Sequence, residues 1–175
     1  MRYGRFLTAL ALCLVVASTV LAQQEKWNEL NQQIVRLCRD KKYAEATRIA
    51  EMSLEVAEAT FGADHPNVAA SLNNLAALYK SQGKYAEAET MYKRSLAIKE
   101  KELGPEHPQV ATSLNNLGTL YKAQGKYSEA EPLYKNALKI WERELGPENP
   151  HVAASLNNLA LLYDAQGKYA EAEPL

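Results

Sequence analysis

The chain has 175 residues, 20 Lys or Arg against 21 Asp or Glu, a net charge of −1 and a 47% hydrophobic content. That length allows one or two domains, and the composition is ordinary for a soluble helical protein. No basic excess points to nucleic acid, and no charge run points to an interaction tail.

Residues 1–22 stand apart. Arg2 and Arg5 precede an uncharged run from Phe6 to Ala22, which ends Val20-Leu21-Ala22 before Gln23. A basic start, an apolar stretch and a small residue at its end form the pattern of a secretory signal peptide. The 17-residue run is at the short limit for a spanning helix, so an uncleaved anchor is the alternative to cleavage after Ala22. No cysteine follows the cleavage point, which disfavours a lipoprotein. The expected domains are therefore a signal peptide over 1–22 and an array over 23–175, secreted or periplasmic, with no membrane contact beyond the signal segment. Cleavage removes Cys13 and leaves 18 basic against 21 acidic residues, a net charge of −3. Cys38 then has no partner for an internal disulfide and is expected as a small buried group on the first helix.

Beyond the leader, apolar spacing predicts helices in pairs: 24–40 with 43–60, 67–82 with 86–103, 109–124 with 128–145, and a further first helix at 151–166. Trp27, Leu30, Ile34 and Leu37 face inward on the first. In the next pair Val68, Leu72, Leu75, Ala76 and Tyr79 fall on one stripe of a 3.6-residue helix. Gly83 is a helix stop, because glycine readily adopts φ > 0. Ala88, Tyr92, Leu96 and Leu103 form the inner side of the second helix, and Gly104-Pro105 ends it. His65-Pro66, His107-Pro108 and Asn149-Pro150 open successive pairs, since proline fits a first helical turn. Pro132 is expected in the first turn of its helix.

These pairs are copies. Ser71-Leu72-Asn73-Asn74-Leu75 recurs as Ser113-Leu114-Asn115-Asn116-Leu117 and as Ser155-Leu156-Asn157-Asn158-Leu159, each 42 residues after the last. Residues 66–107 and 108–149 agree at 28 of 42 positions, and 150–175 agree with the start of that unit at 20 of 26. An older copy precedes them, with Lys42-Tyr43-Ala44-Glu45-Ala46 aligned on Lys84-Tyr85-Ala86-Glu87-Ala88. The units are about 24–65, 66–107, 108–149 and a partial 150–175. A period of this size signals stacked supersecondary units.

The pattern Leu72…Leu75-Ala76…Tyr79…Gly83-Lys84-Tyr85…Ala88…Tyr92…Leu96 resembles the tetratricopeptide repeat. The spacing, the Leu-Asn-Asn-Leu core and the Leu-Gly-Pro-Glu-His-Pro joint resemble the kinesin-light-chain type of that repeat. The resemblance covers about 24–175 and implies an all-α fold, a right-handed α-solenoid of stacked antiparallel helix pairs. It implies a protein or peptide partner, no cofactor and no catalysis.

The partial unit carries its own expectation. A repeat cannot bury its apolar face alone, and burying one such side chain is worth about 1.5–3 kcal/mol. Val152, Leu156, Leu159 and Tyr163 are thus expected to lack half their cover. The sequence then reads as the N-terminal part of a longer array, or else 151–175 frays or pairs with another chain.

No set of residues carries a catalytic or metal signature. His65 and His107 sit at equivalent joints, but the third joint has Asn149, a helix capper and a poor ligand, so the cap reading is preferred. His151 reads as a surface residue. Glu87, Glu89, Glu129 and Glu131 are expected to serve the helix dipole. Tyr79, Tyr121 and Tyr163 are packing residues by spacing, so nucleic-acid stacking is not expected.

The asparagines differ, because asparagine is a mediocre helix former in mid-helix. Measured from the apolar stripe, Asn73 lies roughly 115° to one side and Asn74 roughly 145° to the other. By the resemblance, first helices line a concave groove, into which this face looks. The candidate lining is Asn73, Asn74, Ala77 and Lys80, then Asn115, Asn116, Thr119 and Lys122, then Asn157, Asn158 and Leu161. Small residues leave room for a backbone, and an amide offers both a donor and an acceptor to an extended peptide. Lys80 and Lys122 attract a carboxylate. The other reading is a structural ladder in which asparagines bond between repeats, Asn74 and Asn116 being its expected pair. The function expected is a non-catalytic scaffold that binds an extended segment. The alternatives are an N-terminal module of a longer enzyme or signalling protein, or a self-associating array.

Overall fold

A computed structural model describes residues 2–174, with side chains from 18 to 174. The side chains of Arg2, Arg5 and Cys13 in the leader lie outside the described residues. Eight α-helices follow in order, and no strand occurs among the described residues: α1 (Arg2–Arg39), α2 (Tyr43–Phe61), α3 (Pro66–Ser81), α4 (Tyr85–Leu103), α5 (Pro108–Ala123), α6 (Tyr127–Leu145), α7 (Pro150–Ala165) and α8 (Tyr169–Ala172). The predicted boundaries agree within a residue or two, except that α1 runs back continuously to Arg2.

The chain divides into two compact units, Met1–Ser71 and Leu72–Leu175. In the first, α1 packs on α2, and Leu30, Ile34 and Leu37 of α1 are buried at i, i+4 and i+7. Trp27 is half-buried. Its ring meets Phe61 edge-on at 6.1 Å, and its indole Nε1 donates to Ser71 Oγ at 2.8 Å. Cys38 is half-buried rather than buried, because it lies beside the apolar stripe and not on it. The turn after α1 reaches φ 59° at Lys41, the position held by Gly83, Gly125 and Gly167 in the later repeats at φ 72–74°.

In the second unit α5 packs on α4 and α6, and α7 on α6. Ala76, Ala88, Tyr92, Leu117 and Leu120 form one core cluster. Val110, Ala111, Leu114, Ala137, Ile140, Trp141 and Val152 form another. A third joins Ala130 and Tyr134 to Leu159 and Leu162. Burial in that setting pushes the Tyr92 phenol up to about 12, since the charged phenolate is penalised away from water. A Cβ on Gly118 would lie 3.0 Å from the Tyr134 ring, so the bare backbone there lets α6 approach closely.

Two expectations are corrected in this unit. Pro132 is the sixth residue of α6 and lies inside the helix, because the helix begins at Tyr127. Its missing N–H leaves one carbonyl of the exposed first turn without its helical partner. On α7, Val152, Leu159 and Tyr163 are buried and Leu156 is partly buried, because the preceding α5–α6 pair covers that side. The side of α7 left exposed carries Ala153, Ala154, Asn157 and Leu161 instead.

Candidate functional site

The first helices α3, α5 and α7 carry three equivalent rows on one face. Asn73, Ala77 and Lys80 fall at i, i+4 and i+7, which brings them onto one stripe of α3. Asn115, Thr119 and Lys122 repeat the stripe on α5, and Asn157, Leu161 and Asp164 on α7. Asn73, Lys80, Asn115, Thr119 and Lys122 are half-buried, while Ala77, Asn157, Leu161 and Asp164 are exposed. The opposite side of each helix is apolar and buried, so this stripe is what the helices present outward.

The asparagines bond between repeats. Asn116 Nδ2 donates to Asn73 Oδ1 at 2.8 Å, and Asn158 Nδ2 donates to Asn115 Oδ1 at 2.9 Å. Adjacent asparagines project from opposite flanks of their helix. The first of one repeat therefore faces the second of the next across the seam. The pairing is of unlike positions, Asn73 with Asn116, and not of Asn74 with Asn116. Each link uses one acceptor and one amide donor. The Nδ2 groups of Asn73 and Asn115 have no protein acceptor among the described residues, and both side chains are half-buried. Thr119 is more committed: its hydroxyl donates to Asn115 O at 2.8 Å and lies 3.1 Å from the Tyr134 hydroxyl.

Lys80 and Lys122 make no ion pair within 4.0 Å among the described residues. Partial burial holds both below the usual lysine range, and nearby Asp164 offsets part of this for Lys122. Lysines at the seams are placed differently. Glu89 accepts from Lys93 at 2.6 Å and from the Tyr121 hydroxyl at 3.0 Å, with Lys126 3.8 Å away. One repeat later Glu131 does the same with Lys135 at 2.6 Å, Tyr163 at 3.1 Å and Lys168 at 3.8 Å. Lys126 and Lys168 also lie over the Tyr121 and Tyr163 rings, at 5.4 and 5.6 Å. These clasps join the second helix of one repeat to the first helix of the next. Glu89 and Glu131 therefore do more than answer a helix dipole, and the recurrence of the whole set at 42 residues is the sequence signal for them.

The joint residues are caps. His65 and His107 accept at Nδ1 from Asn67 N and Gln109 N, both at 3.1 Å, and Asn149 Oδ1 accepts from His151 N at 2.9 Å. His151 is exposed and stacks on Trp141 at 5.1 Å. Among the described residues no group of three or more His, Cys, Asp or Glu is gathered that would hold a metal.

One buried polar residue is not evident from apolar spacing. Lys99 is 9% exposed, and its Nζ donates to the buried Ser113 Oγ at 2.8 Å. Desolvation lowers its pKa, and no carboxylate pairs with it among the described residues. The next repeat has Trp141 at that position, buried and donating from Nε1 to Pro108 O at 3.3 Å. Alignment of the two repeats is where the contrast becomes visible.

The tetratricopeptide repeat family model matches residues 35–101, 81–137 and 120–175. The chain belongs to the tetratricopeptide repeat family. Among solved structures it is similar to BtubC (BKLC) from P. vanneervenii, with 25% identity and a TM-score of 0.77, covering 85% of this chain and 59% of that one. It is also similar to the nearly identical kinesin-light-chain TPR-like repeats of Podosopora anserina, with 29% identity and a TM-score of 0.76, covering 84% of this chain and 70% of that one. The tetratricopeptide repeats here are of the kinesin-light-chain type, and the fold is the all-α solenoid class of stacked antiparallel helix pairs. No curated protein matches the chain. Tetratricopeptide arrays are in general non-catalytic scaffolds that mediate protein partner binding.

Proposed function

We propose that the outward stripe of α3, α5 and α7 binds an extended segment of a protein partner. The observation that carries this reading is the pair of half-buried amides, Asn73 and Asn115, each held by its Oδ1 in the ladder while its Nδ2 has no protein acceptor among the described residues. An amide fixed by one bond is preorganised to give the other to a backbone carbonyl. Neighbouring helices stand about 8–10 Å apart and an extended chain rises about 3.3 Å per residue, so successive repeats meet about every third residue of a guest. Ladder and groove are two uses of the same side chains.

Ala77 is exposed between Asn73 and Lys80 and takes no part in the ladder. Ala77→Arg should therefore block the face and leave helicity and melting unchanged. Undiminished capture of a partner by that variant, measured by calorimetry, would remove the reading.

The leader is read as a signal peptide, and the location as secreted or periplasmic. The described side chains from 18 to 22 are all exposed, so no core contact opposes their removal. Terminal sequencing of exported protein should find Gln23 first; an intact Met1 would favour the anchor.

A further inference from the structure

Within the face just assigned, and resting on that assignment, we infer that the array sorts guest segments by the order of their charges. It takes two acidic side chains about three residues apart, with a basic one about three residues further on.

The row at the last position of the stripe is not uniform. It reads Lys80, Lys122, Asp164, one residue from each first helix at a 42-residue spacing. Four exposed lysines of the second unit have carboxylate partners in the seams: Lys93 and Lys126 on Glu89, Lys135 and Lys168 on Glu131. Lys80 and Lys122 are more buried than those and have no such partner among the described residues. A cation that is partly desolvated and unpaired is a cost in the free protein that an incoming carboxylate relieves. Asp164 reverses the sign at the third step. It is exposed, and its field reaches Lys122 without closing an ion pair.

Charge complementarity therefore changes sign along the face. A uniformly acidic segment satisfies Lys80 and Lys122 and meets repulsion at Asp164. A segment with a basic residue at the third step satisfies all three. Like-charge juxtaposition against wrong partners is a common source of specificity, and it acts here through a single position.

A random nine-residue library displayed on phage tests this, selected in parallel on the full chain, on Asp164→Lys and on Ala77→Arg. The full chain should enrich peptides with the acidic, acidic, basic order at three-residue steps. Asp164→Lys should bind those peptides at least tenfold more weakly and should enrich a third acidic residue in place of the basic one. The same charge pattern on both baits, with loss on Ala77→Arg, overturns the charge order and leaves the groove standing. Enrichment of nothing on the full chain overturns both.

Discussion

Two side chains show how a repeat can be copied with local cost. Lys41 occupies the left-handed turn that Gly83, Gly125 and Gly167 fill in the other repeats, with the same backbone bonds: Lys42 N donates to Leu37 O at 2.9 Å as Lys84 N does to Tyr79 O. A side chain there costs about 1–2 kcal/mol that glycine avoids, less glycine's extra entropy in the unfolded chain. Lys41→Gly should thus stabilise the protein by about 1 kcal/mol, read as a raised urea midpoint with an unchanged slope. Lys99 is the second case. Its lowered pKa means that the unfolded chain holds a proton the folded chain gives up earlier. Stability from this group rises with pH between its folded value and the ordinary 10.5, and the penalty is fully present below that window. Lys99→Met should raise stability at pH 7 and remove that alkaline rise; a lower melting temperature would instead mean that the bond to Ser113 outweighs the cost of burying the ammonium. Neither case is visible in hydrophobic spacing. Both emerge on comparing equivalent positions, where a lysine stands against glycines or against Trp141.

Among the helices, much is legible in the sequence because burial writes its own period. Val68, Leu72 and Leu75, spaced for one stripe of α3, are all buried. The caps at His65, His107 and Asn149 follow from chemistry that acts over two residues. The ladder partners do not, since pairing Asn73 with Asn116 depends on which flanks of two helices meet, and a single helix's angles do not contain that. Cover for Val152 and Leu159 escapes the sequence for a related reason: it comes from the previous pair, not from a following helix. Pro132 falls inside its helix through a boundary shift of one residue.

The clasps between second and first helices can be tested by pH and by mutation. Glu89 and Glu131 are held below the usual carboxylate range, first by the Lys93 and Lys135 hydrogen bonds and then, against desolvation, by Tyr121 and Tyr163. A depressed carboxylate contributes stability above its unfolded pKa and loses it as pH falls through the folded value. Melting temperature should decline as pH drops below 4.5, and Glu89→Gln with Glu131→Gln should flatten that decline. In a double-mutant cycle Glu89→Gln and Tyr121→Phe should couple by about 0.5–1.5 kcal/mol. Strict additivity would show that the clasp contributes nothing to holding the repeats together.

In the molecule as a whole, a repeat fold supports a surface. In Leu72–Leu175 the asparagine links hold the amides at set intervals, and four seam lysines pair with Glu89 and Glu131, while Lys80 and Lys122 on the outward stripe have no ion pair among the described residues. BtubC is only 59% spanned by this chain, and its fold is shared while its partners are its own. Everything proposed for binding depends on where a guest lies. That position can be read from the change in backbone and side-chain amide NMR shifts when a peptide from a display selection is titrated into the isotope-labelled protein. A guest on the first-helix face should give saturable shifts at the side-chain amides of Asn73 and Asn115 and at the backbone of Ala77 and Thr119, with second-helix residues such as Lys93 and Lys135 unmoved. Shifts confined to α4 and α6, with both asparagine amides unmoved, would place the guest elsewhere and contradict the proposal.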